Sequence, residues 1–459
     1  MRYPERLSVC IQVDRAAAET LQDQIVRQIV HAIDRNVLVP GGRVPSTRTV
    51  ASVLRVSRSV AVAAYDRLFA LGYLRARPGS GTYVARPATG PVAAVAAADP
   101  ARRVDLVPGR PAMEGFPVAQ WRSAWRAACH RPPHADGAQP AAGSLALREA
   151  VADHLRRVRG IACTAAQIVI TSGARHALDL AVRAALKPGM RVAVENPARP
   201  GTRRILAERG VETVPLAVDA DGARIEDLPA DVDACVVTPV HHFPTGAALS
   251  PVRRAALAGW AAAGHGLLLH SDEGWEFPAD PAPVPDLLSA AGIDHAVHLG
   301  CFCWMLGSGL RLGYLIAGEE VVGRIGELLQ LTGEQPAPPA QHALAQLLSS
   351  GTVARHQRRT ARAYEVRREL LREALDGLAP TARLRGLHAG AHAVLELHPA
   401  VPAAEVAGRL AARGVTVRTL ADFHAGPGAG NGLVLGYGHL DEQTLRGAAR
   451  LVAAAVRTA

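Results

Sequence analysis

Leu21, Ile25, Ile29 and Ile33 recur four residues apart, which lays them along one face of a helix over 20–35. Thr20 with Asp23 has the form of a capping box, and Asn36 is a stop signal. Val39-Pro40-Gly41-Gly42 reads as a turn. Ser46 is placed to cap a short helix that turns Val50, Val53 and Leu54 inward. After Arg55-Val56, Ser57 caps a third helix with Val60, Ala64, Leu68 and Leu71 on its buried side, and Gly72 ends it. Two short strands, Tyr73–Arg77 and Thr82–Val84, flank Pro78-Gly79-Ser80-Gly81 as a hairpin. The first 84 residues therefore predict helix, helix-turn-helix, hairpin.

Residues 85–104 are rich in Ala, Pro and Gly without an amphipathic period and read as a linker. From 105 to 459 the pattern changes. Apolar runs at 167–171, 191–194, 234–238, 266–270 and 295–299 alternate with helical segments, which predicts a mostly parallel sheet covered on both faces. The expected architecture is multidomain: an α+β winged helix-turn-helix unit, then a three-layer α/β unit.

The length of 459 residues exceeds what one core organises. Hydrophobic residues make up 49%, but many are Ala, and no apolar run approaches the ~18 residues of a membrane span. Met1–Arg6 has no apolar h-region, so a cytoplasmic chain without a signal peptide is expected. The cysteines at 10, 129, 163, 235, 301 and 303 form no CxxC pair, so free thiols are expected rather than a disulfide framework or a zinc site. The formal charge is +10. Residues 1–84 hold twelve Arg against six acidic residues, a balance of +6, and that concentration points to a polyanion as the partner of the first unit.

A helix-turn-helix sets its second helix in the major groove, N-terminal residues at the base edges. Here those residues are Ser57, Arg58 and Ser59, and Arg58 suits a bidentate contact to guanine or a phosphate contact. Ser46 and the helix start behind it offer backbone N–H groups to a phosphate, with Arg43 and Arg48 alongside. Arg75 and Arg77 project from the hairpin, and Gly81 lets its tip pass close to DNA. Double-stranded DNA is the expected partner.

These residues resemble the GntR family of winged-helix regulators. The likeness runs through Pro40-Gly41-Gly42-Arg43-Val44-Pro45-Ser46-Thr47-Arg48, Val56-Ser57-Arg58-Ser59, Ala64-Tyr65, Gly72-Tyr73-Leu74 and Gly79-Ser80-Gly81-Thr82-Tyr83-Val84. Arg55 stands where that family usually has Gly. Residues 105–459 are similar to fold-type I aminotransferases, which implies a large subdomain at about 135–340 and a smaller α+β subdomain at about 345–459, and the whole resembles the MocR subfamily. This second likeness is carried by Gly143 to Arg148 with Arg159-Gly160, by Thr171-Ser172-Gly173-Ala174-Arg175, and by Glu195-Asn196-Pro197. It continues through Thr238-Pro239-Val240-His241-His242-Phe243-Pro244-Thr245-Gly246 and Gly309–Tyr314.

The resemblance implies a site for pyridoxal phosphate, held by a Lys amine, with an acid opposite the pyridinium nitrogen and the phosphate at a helix start. Gly173, Ala174, Arg175 and Arg311 fit the phosphate part, and His242 falls within the motif. The lysine position, in Gly300-Cys301-Phe302-Cys303-Trp304-Met305-Leu306, holds Trp304. Cys301 and Cys303 replace a Thr and a Ser. The chain's one lysine, Lys187, lies in a turn motif. The partner-reaching Tyr position aligns with Ala138. The pyridinium partner falls on Asp272 in one register and on Ser271 in another.

The expectation is a remnant pocket without covalent cofactor, metal or catalysis, in a regulator whose second unit dimerises and senses a small-molecule effector. A non-covalent pyridoxal phosphate, or another phosphorylated or acidic ligand, stays open. Three rivals stay open as well: an active pyridoxal phosphate aminotransferase; an enzyme of another class using Cys301, Cys303 or His242; and a scaffold without ligand.

Overall fold

The computed structural model describes residues 11–15, 17, 19–35, 37–77, 80–85, 104–130, 140–271, 277, 286–426 and 430–458. The chain divides into two compact units, 1–100 and 101–459.

In the first unit, helix α1 (Leu21–Asp34) starts where the Thr20 hydroxyl accepts the Asp23 N–H, and buries Ile25, Val26, Ile29 and Ile33. Helix α2 (Thr47–Leu54) buries Val50, Ala51 and Leu54. Val53 is instead exposed: with only eight residues, α2 meets its neighbours through the 50/51/54 arc, and Val53 falls outside it. Helix α3 (Arg58–Ala70) buries Ala61, Ala64, Tyr65 and Leu68. Val60 is only half-buried and Leu71, just past the helix end, is exposed. Tyr65 reaches back to donate to the Pro45 carbonyl at 2.7 Å, tying α3 to the start of α2. Arg55 takes the left-handed conformation, φ 52°, at the turn between them. The hairpin strands are β2 (Leu74–Arg77) and β3 (Gly81–Val84), but β3 also pairs with a strand the periodicity did not reveal, β1 (Arg43–Val44), giving the order β1-β3-β2.

The outer residues of the expected linker are tied to the two units. Ala85 donates to the Tyr73 carbonyl, and Val104 opens strand β4 (Val104–Asp105), paired in the second unit with Val415–Thr416.

The second unit is built on eight strands: β5 (Ile168–Thr171), β6 (Arg191–Asn196), β7 (Glu212–Asp219), β8 (Gly222–Ala223), β9 (Ala234–Val237), β10 (Leu267–Ser271), β11 (Ala296–Cys301) and β12 (Gly313–Ile316). Their order is β5-β12-β11-β10-β9-β6-β7-β8. Strands β5, β6, β7, β9, β10 and β11 run the same way; β12 is antiparallel to both neighbours, and β8 is antiparallel at the edge. Alternate residues serve two cores. Leu268 and Ala296 face one with helices Leu145–Arg159, Pro251–Ala262 and Pro338–Ser349. Leu269, Val297 and Leu299 face the other with Ala174–Ala185 and Glu319–Thr332. A smaller antiparallel sheet of Ala382–Arg385, His392–Leu397, Gly432–Gly436 and Arg418–Thr419 follows. Residues just after β4 also join it, since the Gly436 N–H donates to the Leu106 carbonyl. This is the mixed-sheet, three-layer architecture of fold-type I.

Candidate functional site

Two surfaces matter, one in each unit. In the first, Arg43, Ser46, Arg48, Ser57, Arg58, Ser59, Arg75, Arg77 and Gly81 are all exposed. The serine hydroxyls are occupied by their own helices: Ser46 accepts the Thr49 N–H at 3.1 Å and Ser57 the Val60 N–H at 3.4 Å. This fixes both helix starts and leaves first-turn N–H groups for a ligand. Gly81 has φ 121°, and a side-chain carbon there would lie 3.0 Å from Arg43 Nε, so Gly81 makes room for that guanidinium. The Arg77 guanidinium lies over the Tyr83 ring at 4.8 Å. Arg27 and Arg67 are paired with Glu19 and Asp23.

In the second unit a cleft opens at the carboxyl ends of β6, β9 and β10, where open α/β sheets place ligands. Ala174 and Arg175 line it from the start of the helix Ala174–Ala185, Glu195 from β6, Ser271 from β10, and Arg199 and Phe243 from the neighbouring loops. Its volume is about 80 Å³. Gly173, at φ 103°, caps that helix. A side-chain carbon on Gly173 would lie 3.9 Å from both Arg311 Cζ and Cys301 Sγ, so these three meet at the helix start. Arg311 is itself left-handed, φ 51°.

Sequence reasoning gave no signal for Arg199. Its guanidinium lies 3.7 Å over the Phe243 ring and 5.6 Å from the Trp304 ring, a cation between two π faces. Trp304 follows β11 in a helical turn, Cys303–Leu306. Cys301 and Cys303 are joined in a disulfide, contrary to the expectation of free thiols. The chain turns at Phe302 and brings the Cα atoms to 5.3 Å, a spacing that allows the bond.

His241 and His242 diverge. His242 is buried, with Nδ1 2.7 Å from Thr245 Oγ1 and Nε2 3.4 Å from Glu195 Oε2. Burial pushes its pKa down to about 3. Glu195 is buried too and accepts from the Thr238 N–H and hydroxyl at 2.9 and 2.7 Å. His241 packs instead against His392 and His388, ring centres 4.4 and 5.3 Å apart. Lys187 is exposed before the amino end of β6, while the cleft lies at the other end. Six strand residues span about 20 Å, so its amine is remote from the cleft. Asp272 and Ala138 lie outside the described residues.

The fold and these surfaces define a class: a helix-turn-helix unit joined to an aminotransferase-like unit. Residues 21–84 match the family model of bacterial regulatory proteins, gntR family, and residues 113–446 that of aminotransferase class I and II. The chain is 36% identical over 433 residues to the HTH-type pyridoxine biosynthesis transcriptional regulator PdxR of Corynebacterium glutamicum, covering 93% of this chain and 94% of that one. It is 33% identical over 427 residues to the HTH-type transcriptional regulator TauR of Rhodobacter capsulatus, covering 87% and 88%. It is 28% identical over 466 residues to the probable rhizopine catabolism regulatory protein MocR of Rhizobium meliloti, covering 95% and 93%. Among solved structures, an archaeal alanine:glyoxylate aminotransferase superposes with a TM-score of 0.72 at 22% identity, over 78% of this chain and 91% of that one, a likeness of fold.

The chain belongs to the MocR-type regulators of the GntR family and is a DNA-binding transcription regulator with an aminotransferase-like domain. No helix among the described residues is long and apolar enough to cross a membrane.

Proposed function

We propose that the aminotransferase-like unit of this regulator performs no transamination and works as a dimerisation and effector-sensing unit in the cytoplasm. The observation that carries this reading is Trp304 at the position the family fills with lysine, its indole beside the Arg199 guanidinium. Indole forms no imine, and the exposed Lys187 lies toward the other end of the sheet. The residues present thus fit an anion, through Gly173, Ala174, Arg175 and Arg311, but not a covalently held pyridoxal phosphate.

In the first unit, Arg58 and Ser59 read base edges. Arg43, Arg48, Arg75 and Arg77, with the helix starts at Ser46 and Ser57, hold phosphates, and Gly81 allows the wing a close approach. Two such units in a homodimer match paired half-sites.

One observation favours a second reading for the cleft. A 36%-identical relative is named a pyridoxine biosynthesis regulator, so a B6 vitamer held without a covalent bond at the same anion cradle is the alternative effector.

The test is a mobility-shift titration on the DNA upstream of the chain's own gene, with and without pyridoxal phosphate, followed by borohydride reduction and peptide mass spectrometry. Unchanged affinity and no phosphopyridoxyl peptide are expected. A linkage at Lys187 overturns the loss of covalent chemistry, and an affinity change without linkage selects the second reading. Trp304→Lys is expected to gain a reducible linkage at position 304.

A further inference from the structure

On the side of the sheet away from the cleft, we propose that His270, His298 and Asp286 bind one divalent transition-metal cation of the zinc class. Strands β10 and β11 are parallel, and His270 lies directly opposite His298 in their register. Both imidazoles therefore leave the sheet on one face. It is the face of Leu268 and Ala296, which belong to the core under the helix Pro251–Ala262; Ser271 and Leu299 face the cleft instead. The third member comes from the helix Leu287–Ala291, which Asp286 caps. Asp286 Oδ2 accepts the Ser289 N–H at 2.9 Å and its hydroxyl at 3.1 Å. Its other oxygen, Oδ1, is buried and has no hydrogen-bond partner. One ligand atom from each residue lies within 4.8 Å of the other two, and all three residues are buried.

A carboxylate oxygen in an apolar core is costly unless a cation or donor meets it. Two imidazoles and a carboxylate are a donor set for zinc and its neighbours, whereas calcium and magnesium take oxygen ligands. Three atoms within 4.8 Å of one another lie up to about 2.8 Å from their common centre, so closing by up to roughly 0.7 Å reaches metal–ligand bonds of about 2.0–2.2 Å. The His298 ring stacks on Tyr314 of β12 at 5.9 Å, which holds it in orientation. The ion would clamp β10, β11 and the helix Leu287–Ala291 beneath the strand ends that carry Ser271 and Trp304. The cluster is invisible along the chain because strand register brings His270 to His298 and only the packing of the helix Leu287–Ala291 adds Asp286.

The test uses the full chain stripped with a chelator and titrated with Co²⁺, then displaced by Zn²⁺. One equivalent per chain is expected, with a visible ligand-field band and a raised thermal midpoint. Asp286→Asn keeps a side chain able to cap the helix and removes the charge. Because losing even an outer-shell partner weakens metal binding 10–100-fold, it should weaken binding about a hundredfold or more, with the circular dichroism unchanged. His298→Gln should do the same, and His392→Gln should not. No bound equivalent, or affinity unaltered in Asp286→Asn and His298→Gln, overturns the proposal. X-ray absorption on the loaded wild type needs no variant: sulfur, or imidazole alone, in the first shell overturns it too.

Discussion

Removing Arg75 should make DNA binding measurably less sensitive to salt. Of the twelve arginines in the first 84 residues, Arg27 and Arg67 are neutralised by Glu19 and Asp23. Arg43, Arg48, Arg58, Arg75 and Arg77 remain exposed on the helix starts and wing. Arg58 is assigned to a base edge; if the other four each meet a phosphate, a dimer makes eight such contacts, and log K against log salt should fall with a slope of about −7. Between 50 and 200 mM salt that is a loss near 10⁴-fold. Arg75→Ala deletes two contacts per dimer, so the slope should become shallower by about 1.8 and the loss over that range smaller by about tenfold. Arg58→Ala should behave differently, reducing discrimination at one base pair by about 1–3 kcal/mol if it reads guanine. The assay is fluorescence anisotropy on operator and scrambled duplexes at four salt concentrations. A wild-type slope shallower than about −3, or an Arg75→Ala slope equal to wild type, would refute the assignment of these arginines to DNA.

Acid should destabilise the second unit from mildly acidic pH. Burial holds His242 and His392 at about 3, below the ~6.5 of an unfolded ring. Stability is full above about 6.5 and falls as pH drops toward 3, because the unfolded chain takes up protons the folded one refuses. Two rings give a slope near 2.7 kcal/mol per pH unit in that window; urea midpoints measure it, and a level profile from pH 6.5 to 4 contradicts it. Gly143→Ala should cost roughly 2–4 kcal/mol. Gly143 has φ +92°, and the new carbon would sit 2.7 Å from Ile170 Cβ and 2.9 Å from Gln341 Oε1, which accepts the Ser144 N–H. A thermal midpoint equal to wild type would show that the turn relaxes freely.

The parts legible in the sequence were those with local causes. The fourfold spacing in α1, the serine caps and the alternation of strands with helices each follow from neighbours along the chain. Non-local causes were invisible. Strand β1 has two residues and exists because β3 pairs with it. Val53 follows the apolar rule yet is 53% exposed, because the position of α3, not the composition of α2, decides which arc is covered. At the cleft, motif likeness gave Gly173, Ala174, Arg175 and Arg311, since such motifs are contiguous. Arg199 stacks on residues 44 and 105 positions away, and only the fold brings them together.

The antiparallel strand β12 has a consequence for how the chain is made. It sits between β5 and β11, so until Gly313–Ile316 emerge from synthesis both of those strands present raw backbone edges, ready to pair with other chains. Arg311 reaches Gly173 only when that last slot is filled, across a sequence gap long enough to make the step slow. An anion captured there would therefore grip only the finished sheet, acting as a latch on completed folding.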